Sequence, residues 1–204
     1  MKPDLGDNDF LMFNNLLNKC SNYFEYGSGG STYLAFQKEN IKNIFSVESD
    51  KKWYNKIKSM SLNKKTHKFE YFFIDMNTSP NSFGYPGKLS KKENRILYSE
   101  CINKLSNNEI KKIDLILIDG RYRVACALKC HKVINNNCLL AFDDFFNREH
   151  YKIVLEYFDI IQKTKDNRMV ILKKNISKEV PKNIIEKYED IGYPYIYPDK
   201  RAYS

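Results

Sequence analysis

Apolar positions fall in two alternating rhythms along this chain, one helical and one β-like. Phe10, Leu11, Phe13, Leu16 and Leu17 recur at helical spacing behind Asp7 and Asn8, either of which can cap the start, so a short N-terminal helix is expected. β-prone runs then occupy residues 23–26, 43–47, 69–74, 113–118 and 138–142, and helical patterns separate most of them. One such helix carries Trp53, Tyr54, Ile57 and Met60, a second covers residues 93–105, and a third runs from Arg123 to about Val133. The run Ile113-Asp114-Leu115-Ile116-Leu117-Ile118 is apolar at all but one position, as expected of a strand buried on both faces of a parallel sheet. Residues 149–158 look helical. Residues 159–162 and 168–172 read as strands joined by the charged turn 163–167, and so short a link implies an antiparallel hairpin. These elements predict a doubly wound α/β Rossmann-like sheet, mostly parallel, closed by a C-terminal antiparallel hairpin. Residues 1–174 are expected to form one domain, and 175–204 a basic, Tyr- and Pro-rich extension.

Composition narrows the class. The 204 residues suit one domain of ordinary size, and 14% aromatic content supplies core material that a disordered chain would lack. Mean hydropathy is −0.59, with no apolar run long enough for a membrane span. The N-terminus has no basic-then-apolar leader and the five cysteines form no regular framework, which points to a reducing, cytoplasmic compartment. Cys126, Cys130 and His131 have the residue types of metal ligands, but they fall on an amphipathic helix where Cys is also a good small core residue. The net charge of +9 invites an anionic partner, although Lys and Asn abundance throughout the chain yields the same surplus without one.

Chemistry gathers at the carboxyl ends of the strands, where ligands of such sheets bind. The first strand runs into Gly27-Ser28-Gly29-Gly30-Ser31-Thr32, which holds three of the eight glycines. The second ends in Glu48-Ser49-Asp50, the third in Asp75, the fourth in Asp119 and the fifth in Asp143-Asp144. Glu48 stands 21 residues beyond Gly27, the distance at which an acid receives the ribose hydroxyls of a nucleoside cofactor. Thr32 occupies the place of the third glycine of a dinucleotide fingerprint, and no Gly-Lys-Ser/Thr follows, so an adenosine cofactor without a pyrophosphate fits best. The loop at residues 79–88, with Phe83, Tyr85 and Pro86, is a candidate lid, and the Tyr-rich stretch 193–203 can line an acceptor site or bind a partner chain.

The run from Phe24 to Thr32 resembles the first motif of class I S-adenosylmethionine-dependent methyltransferases, and Ser46-Val47-Glu48-Ser49-Asp50 with Trp53-Tyr54 resembles the second. Residues 115–121 and 139–144 resemble the fourth and fifth, with a leaning toward small O-methyltransferases, some of them metal-dependent. The resemblance implies S-adenosylmethionine as cofactor. It implies Glu25 near the methionine amino group; Gly27, Ser28, Gly29, Ser31 and Thr32 as the cofactor turn; Glu48 and Ser49 at the ribose; and Trp53 and Asp75 at the adenine. In the metal-dependent branch, Asp119, Asp143 and Asp144 would bind a magnesium or manganese ion. Three carboxylates so placed need a cation, and Arg121, Arg123 or Arg148 can serve instead. Asp119, Asp144 or His150 would then act as general base on the acceptor hydroxyl. The expected activity is O-methylation of a sugar, glycan or other small acceptor. An RNA ribose methyltransferase and a catalytically inactive cofactor-binding module are the alternatives, with nucleic acid disfavoured by the acidic rim.

Overall fold

The computed structural model describes residues 1–62, 67–79, 82 and 84–190. Its elements, in chain order, are α1 (Asp7–Leu17), β1 (Asn22–Tyr26), α2 (Gly30–Ala35), β2 (Asn43–Glu48), α3 (Lys51–Ser61), β3 (Lys68–Phe73), α4 (Lys92–Ser99), α5 (Asn107–Lys112), β4 (Leu115–Ile118), α6 (Arg123–Val133), β5 (Leu139–Phe142), β6 (Phe158–Lys163), β7 (Val170–Lys174) and α7 (Lys182–Asp190). The strands form a seven-stranded sheet in the order β3-β2-β1-β4-β5-β7-β6. β1 to β5 pair in parallel, whereas β7 runs antiparallel to both β5 and β6, giving the expected C-terminal hairpin.

Strand alternation sorts side chains onto the two faces. Tyr23, Leu115, Leu117 and Ala141 join Phe13, Leu17, Phe36 and Ile57 in a core beneath α1, α2 and α3. Phe24, Tyr26, Ile116, Ile118, Leu140 and Phe142 enter the opposite core with Tyr98, Cys126, Leu128 and Ile185 of α4, α6 and α7. β4 is buried at every position, which explains its continuous apolar run. All five cysteines are buried and unbridged, Cys126 and Cys130 among the apolar residues of the second core. His131 is also buried, and its Nε2 lies 3.2 Å from the Asn175 carbonyl. The helix expected over 93–105 breaks into α4 and a 3-10 turn, Glu100–Lys104. α5 then starts on a Ser106–Glu109 capping box, and the segment before β6 is 3-10 rather than α-helical.

The C-terminal segment packs onto the sheet's helices through α7. Ile185 of that helix is buried, and Glu189 accepts a hydrogen bond from Ser99 Oγ at 2.6 Å and pairs with Lys129 Nζ at 3.2 Å. Residues 193–203 lie outside the described residues, as do Pro80 and Phe83 of the expected lid loop and residues 63–66 and 81. No helix among the described residues is long and apolar enough to cross a membrane.

Candidate active site

The strand order reverses between β1 and β4, and a crevice opens there beyond the carboxyl ends of the strands. It encloses about 360 Å3. Gly27, Ser28, Gly29, Ser31, Glu48, Ser49, Trp53, Asp119, Asp143 and Asp144 all line it, so most of the residues singled out in the sequence converge on one cleft.

The glycine turn divides into two roles. Gly27 has φ +91°, and a Cβ there would fall 2.7 Å from the Gly120 backbone, so this residue lets β1 and β4 close together at their ends. A Cβ on Gly29 would meet nothing within 4 Å. The space above Gly29 therefore belongs to the cleft.

Glu48 sits at the cleft floor with 5% of its surface exposed. Its Oε1 accepts from the Ser49 and Asp50 amides at 2.7 and 2.8 Å, and its Oε2 from the Ser28 amide and hydroxyl at 3.1 and 2.6 Å. Burial raises its pKa, and these hydrogen bonds oppose the rise. Ser28 Oγ also lies 2.6 Å from the Tyr71 hydroxyl, so this serine bridges the β2 acid and a β3 phenol.

Four expected site residues do not reach the cleft. Glu25 is fully buried on the α2 side of the sheet, where Tyr23, Ser31 and Ser46 donate to it at 2.7 to 2.8 Å and Thr32 donates as well. Strand alternation turns it away from the rim, and it ties the glycine turn to β1 and β2. Thr32 is buried with it. Asp75 lies in the exposed chain beyond β3 and accepts from the Asn77 amide at 2.8 Å. His150 lies outside the lining and packs against Tyr151, with ring centroids 4.4 Å apart; burial and Arg148 lower its pKa to about 4. A histidine so shifted is a poor base at neutral pH.

Arginines interleave the acidic residues of the rim. Arg123 is the first residue of α6, and the chain turns into that helix through Tyr122 at φ +50°. Its Nη2 lies 2.8 Å from Asp119 Oδ1, while its Nη1 lies 3.7 Å from Asp143 Oδ2 and 3.6 Å from Asp144 Oδ2. Arg148 Nη2 meets Asp144 Oδ2 at 3.0 Å, and Arg168 Nε meets Asp144 Oδ1 at 3.2 Å and Asp143 Oδ1 at 3.4 Å. Asp144 itself is held at φ +57°, a strained backbone position for a non-glycine residue. The rim is therefore nearly charge-balanced and not acidic, which removes the electrostatic argument against an anionic acceptor. It also fails the test for a divalent ion. Each carboxylate already faces a guanidinium that does not deprotonate, and a hard cation would have to enter among three of them. Among the described residues, no group of three His, Cys, Asp or Glu side chains is arranged to hold a metal ion.

Burial raises the Asp119 pKa, with Arg123 opposing and Asp143 and Asp144 adding to the rise. Its side chain is nevertheless 32% exposed, toward the cleft it lines. The remaining lining includes two contributions that the sequence does not signal. Residues 1–5 lie along the glycine turn, where a Cβ on Gly30 would fall 2.4 Å from Pro3 Cα. Arg168 reaches in from the β6–β7 turn. At the mouth, the Arg121 guanidinium stacks 4.0 Å from the centre of the Tyr85 ring, placing part of the expected lid loop at the cleft.

No protein-family model and no curated protein matches the sequence. Among solved structures, the chain is similar to a methyltransferase-like protein from Silicibacter pomeroyi at 22% identity and a TM-score of 0.77, over 92% of this chain and 94% of that one. A putative methyltransferase from Streptococcus mutans in complex with SAH has a TM-score of 0.53 at 10% identity, over 84% of this chain and all (100%) of that one. NSun6 from Pyrococcus horikoshii, solved with SFG, has the same TM-score of 0.53 at 11% identity, over 83% of this chain and 52% of its own. With the strand order, the C-terminal antiparallel hairpin and the cleft at the switch point, these likenesses establish that the chain has the class I S-adenosylmethionine-dependent methyltransferase fold.

Proposed function

We propose that the cleft binds S-adenosylmethionine and that the protein transfers a methyl group to a hydroxyl of a sugar, glycan or other small acceptor. The observation that carries this reading is the pairing of a buried acid, Glu48, with an unobstructed glycine, Gly29, in one cleft at the switch point. Glu48 receives the ribose hydroxyls. Its carboxylate is already filled by four donors, so one must yield, and Ser28 Oγ is the exchangeable one because the Tyr71 hydroxyl is within reach of it. Trp53, 37% exposed at the edge of the cleft, offers an aromatic face to the adenine. Ligands on two of the fold's neighbours, SAH and SFG, support the cofactor assignment.

When bound, the cofactor supplies an electrophilic methyl group on sulfur. Asp119, which lines the cleft, would take the proton of the acceptor hydroxyl. Burial raises the Asp119 pKa above the usual carboxylate range, so its base form is lost as pH falls. Initial rates between pH 5.5 and 9 should therefore climb and then level off, and Asp119→Asn should lose about 10²- to 10⁴-fold in rate while keeping cofactor affinity. A pH-independent rate, or an active Asp119→Asn, would remove Asp119 from this role.

Gly29→Ala tests the cofactor assignment separately. With open space around that position, the variant should melt like wild type yet bind S-adenosylhomocysteine at least about tenfold more weakly, a cost near 1.4 kcal/mol for the displaced ligand. Assay with labelled S-adenosylmethionine against a panel of hydroxyl acceptors tests the reaction itself, and transfer to none of them would count against it. A second reading, methylation of an RNA ribose hydroxyl, draws support from the charge-balanced rim and from Lys51, Lys52, Lys56 and Lys58 on α3 beside Trp53. RNA affinity falling steeply with salt would favour it.

A further inference from the structure

We propose that the guanidinium of Arg123 is the resident cation of this cleft, filling the position among Asp119, Asp143 and Asp144 that a divalent ion would need. The inference concerns the charge of the site, so it stands or falls independently of which group is methylated. Arg123 is 5% exposed, although arginine is among the residues least often buried without a partner. It is held on every side by oxygen. Nε donates to the Gly120 carbonyl at 3.0 Å, Nη1 to the Asp143 carbonyl at 2.6 Å, and Nη2 to the Asp119 carbonyl at 3.0 Å and carboxylate at 2.8 Å.

Backbone carbonyls mixed with carboxylates form the kind of donor set that attracts a hard cation. Here the donors converge on a planar fork whose charge is permanent, because arginine does not deprotonate in proteins. The fork bridges the ends of β4 and β5 through the Asp119 and Asp143 carbonyls, so it also fixes the two strand ends that carry the acids. Arg148 and Arg168 complete the balance from the outer side of Asp144 and Asp143. A metal could enter only by displacing a side chain anchored by these four hydrogen bonds. Chelators would therefore find nothing to remove, and excess divalent ion would find nowhere to bind.

Electron paramagnetic resonance of Mn2+ tests this on the full chain, with no assay of methyl transfer. The wild-type protein should leave the free Mn2+ signal undiminished at equimolar metal. Arg123→Met removes the charge and keeps most of the volume, and it should bind about one equivalent of Mn2+, which a further Asp143→Asn change should abolish. Circular dichroism establishes that the variants are folded. Stoichiometric Mn2+ binding by the wild type that is lost in Asp143→Asn would overturn the proposal whether or not Arg123→Met folds, and so would a folded Arg123→Met that leaves Mn2+ free.

Discussion

Glu48→Gln lowers the affinity for S-adenosylhomocysteine by about 10- to 100-fold while the protein remains folded. The magnitude follows from exchanging a charged acceptor for a neutral one, since hydrogen bonds to charged groups contribute about 1.5–3 kcal/mol each and every 1.4 kcal/mol is tenfold. The amide keeps the size of the side chain but can satisfy only some of the donors now provided by Ser28, Ser49 and Asp50. Glu25→Gln gives the opposite pattern. That side chain meets only protein hydroxyls and does not itself line the cleft, so the exchange should leave affinity unchanged and destabilise the fold by about 1–3 kcal/mol. Titration calorimetry and chemical denaturation of both variants check the pair. An affinity loss in Glu25→Gln with none in Glu48→Gln would exchange the roles assigned here.

Arg123→Met should be the most destabilising single change at the site. It strips the shared cation from Asp143 and Asp144, which are 2% and 5% exposed, and breaking a buried charge network from one side costs about 3–5 kcal/mol. For a chain of this size that corresponds to a fall in Tm on the order of 10 °C. The loss should depend on pH. Without the guanidinium that opposes it, burial holds the Asp119 proton more tightly in the folded than in the unfolded state, so stability falls as pH rises and recovers toward pH 5. Denaturation midpoints at pH 5.5 and 8 measure the difference. A variant as stable as wild type at pH 8 would mean that Arg148 and Arg168 suffice.

The sheet was largely legible because buried parallel strands write themselves as apolar runs, and β4 and β5 end at the acids that mark the rim. The capping box of α5 is written in the sequence as Ser106-x-x-Glu109, yet the six-residue helix it opens is not among the expected elements. Site roles were harder to read where they depend on which face of a strand a residue occupies. Glu25 stands at a motif position that the methyltransferase resemblance assigns to the cofactor, but period-two alternation sends it with Tyr23 into the core. Its register partner on β2 is Ser46, a polar residue in an apolar strand and a signal that a buried acid needed donors. The charge of the rim could not be read from strand ends alone. Arg123 and Arg148 follow the acids closely in sequence, whereas Arg168 arrives from the β6–β7 turn and the 1–5 segment from the chain's start, contacts that no local pattern encodes.

Binding of S-adenosylmethionine to the wild-type protein, measured by titration calorimetry alongside Glu48→Gln, tests the central claim most directly. The account predicts one-to-one binding by wild type that is unaffected by EDTA and sharply weakened in the variant. No binding by a folded wild-type protein, or equal binding by the variant, would contradict it.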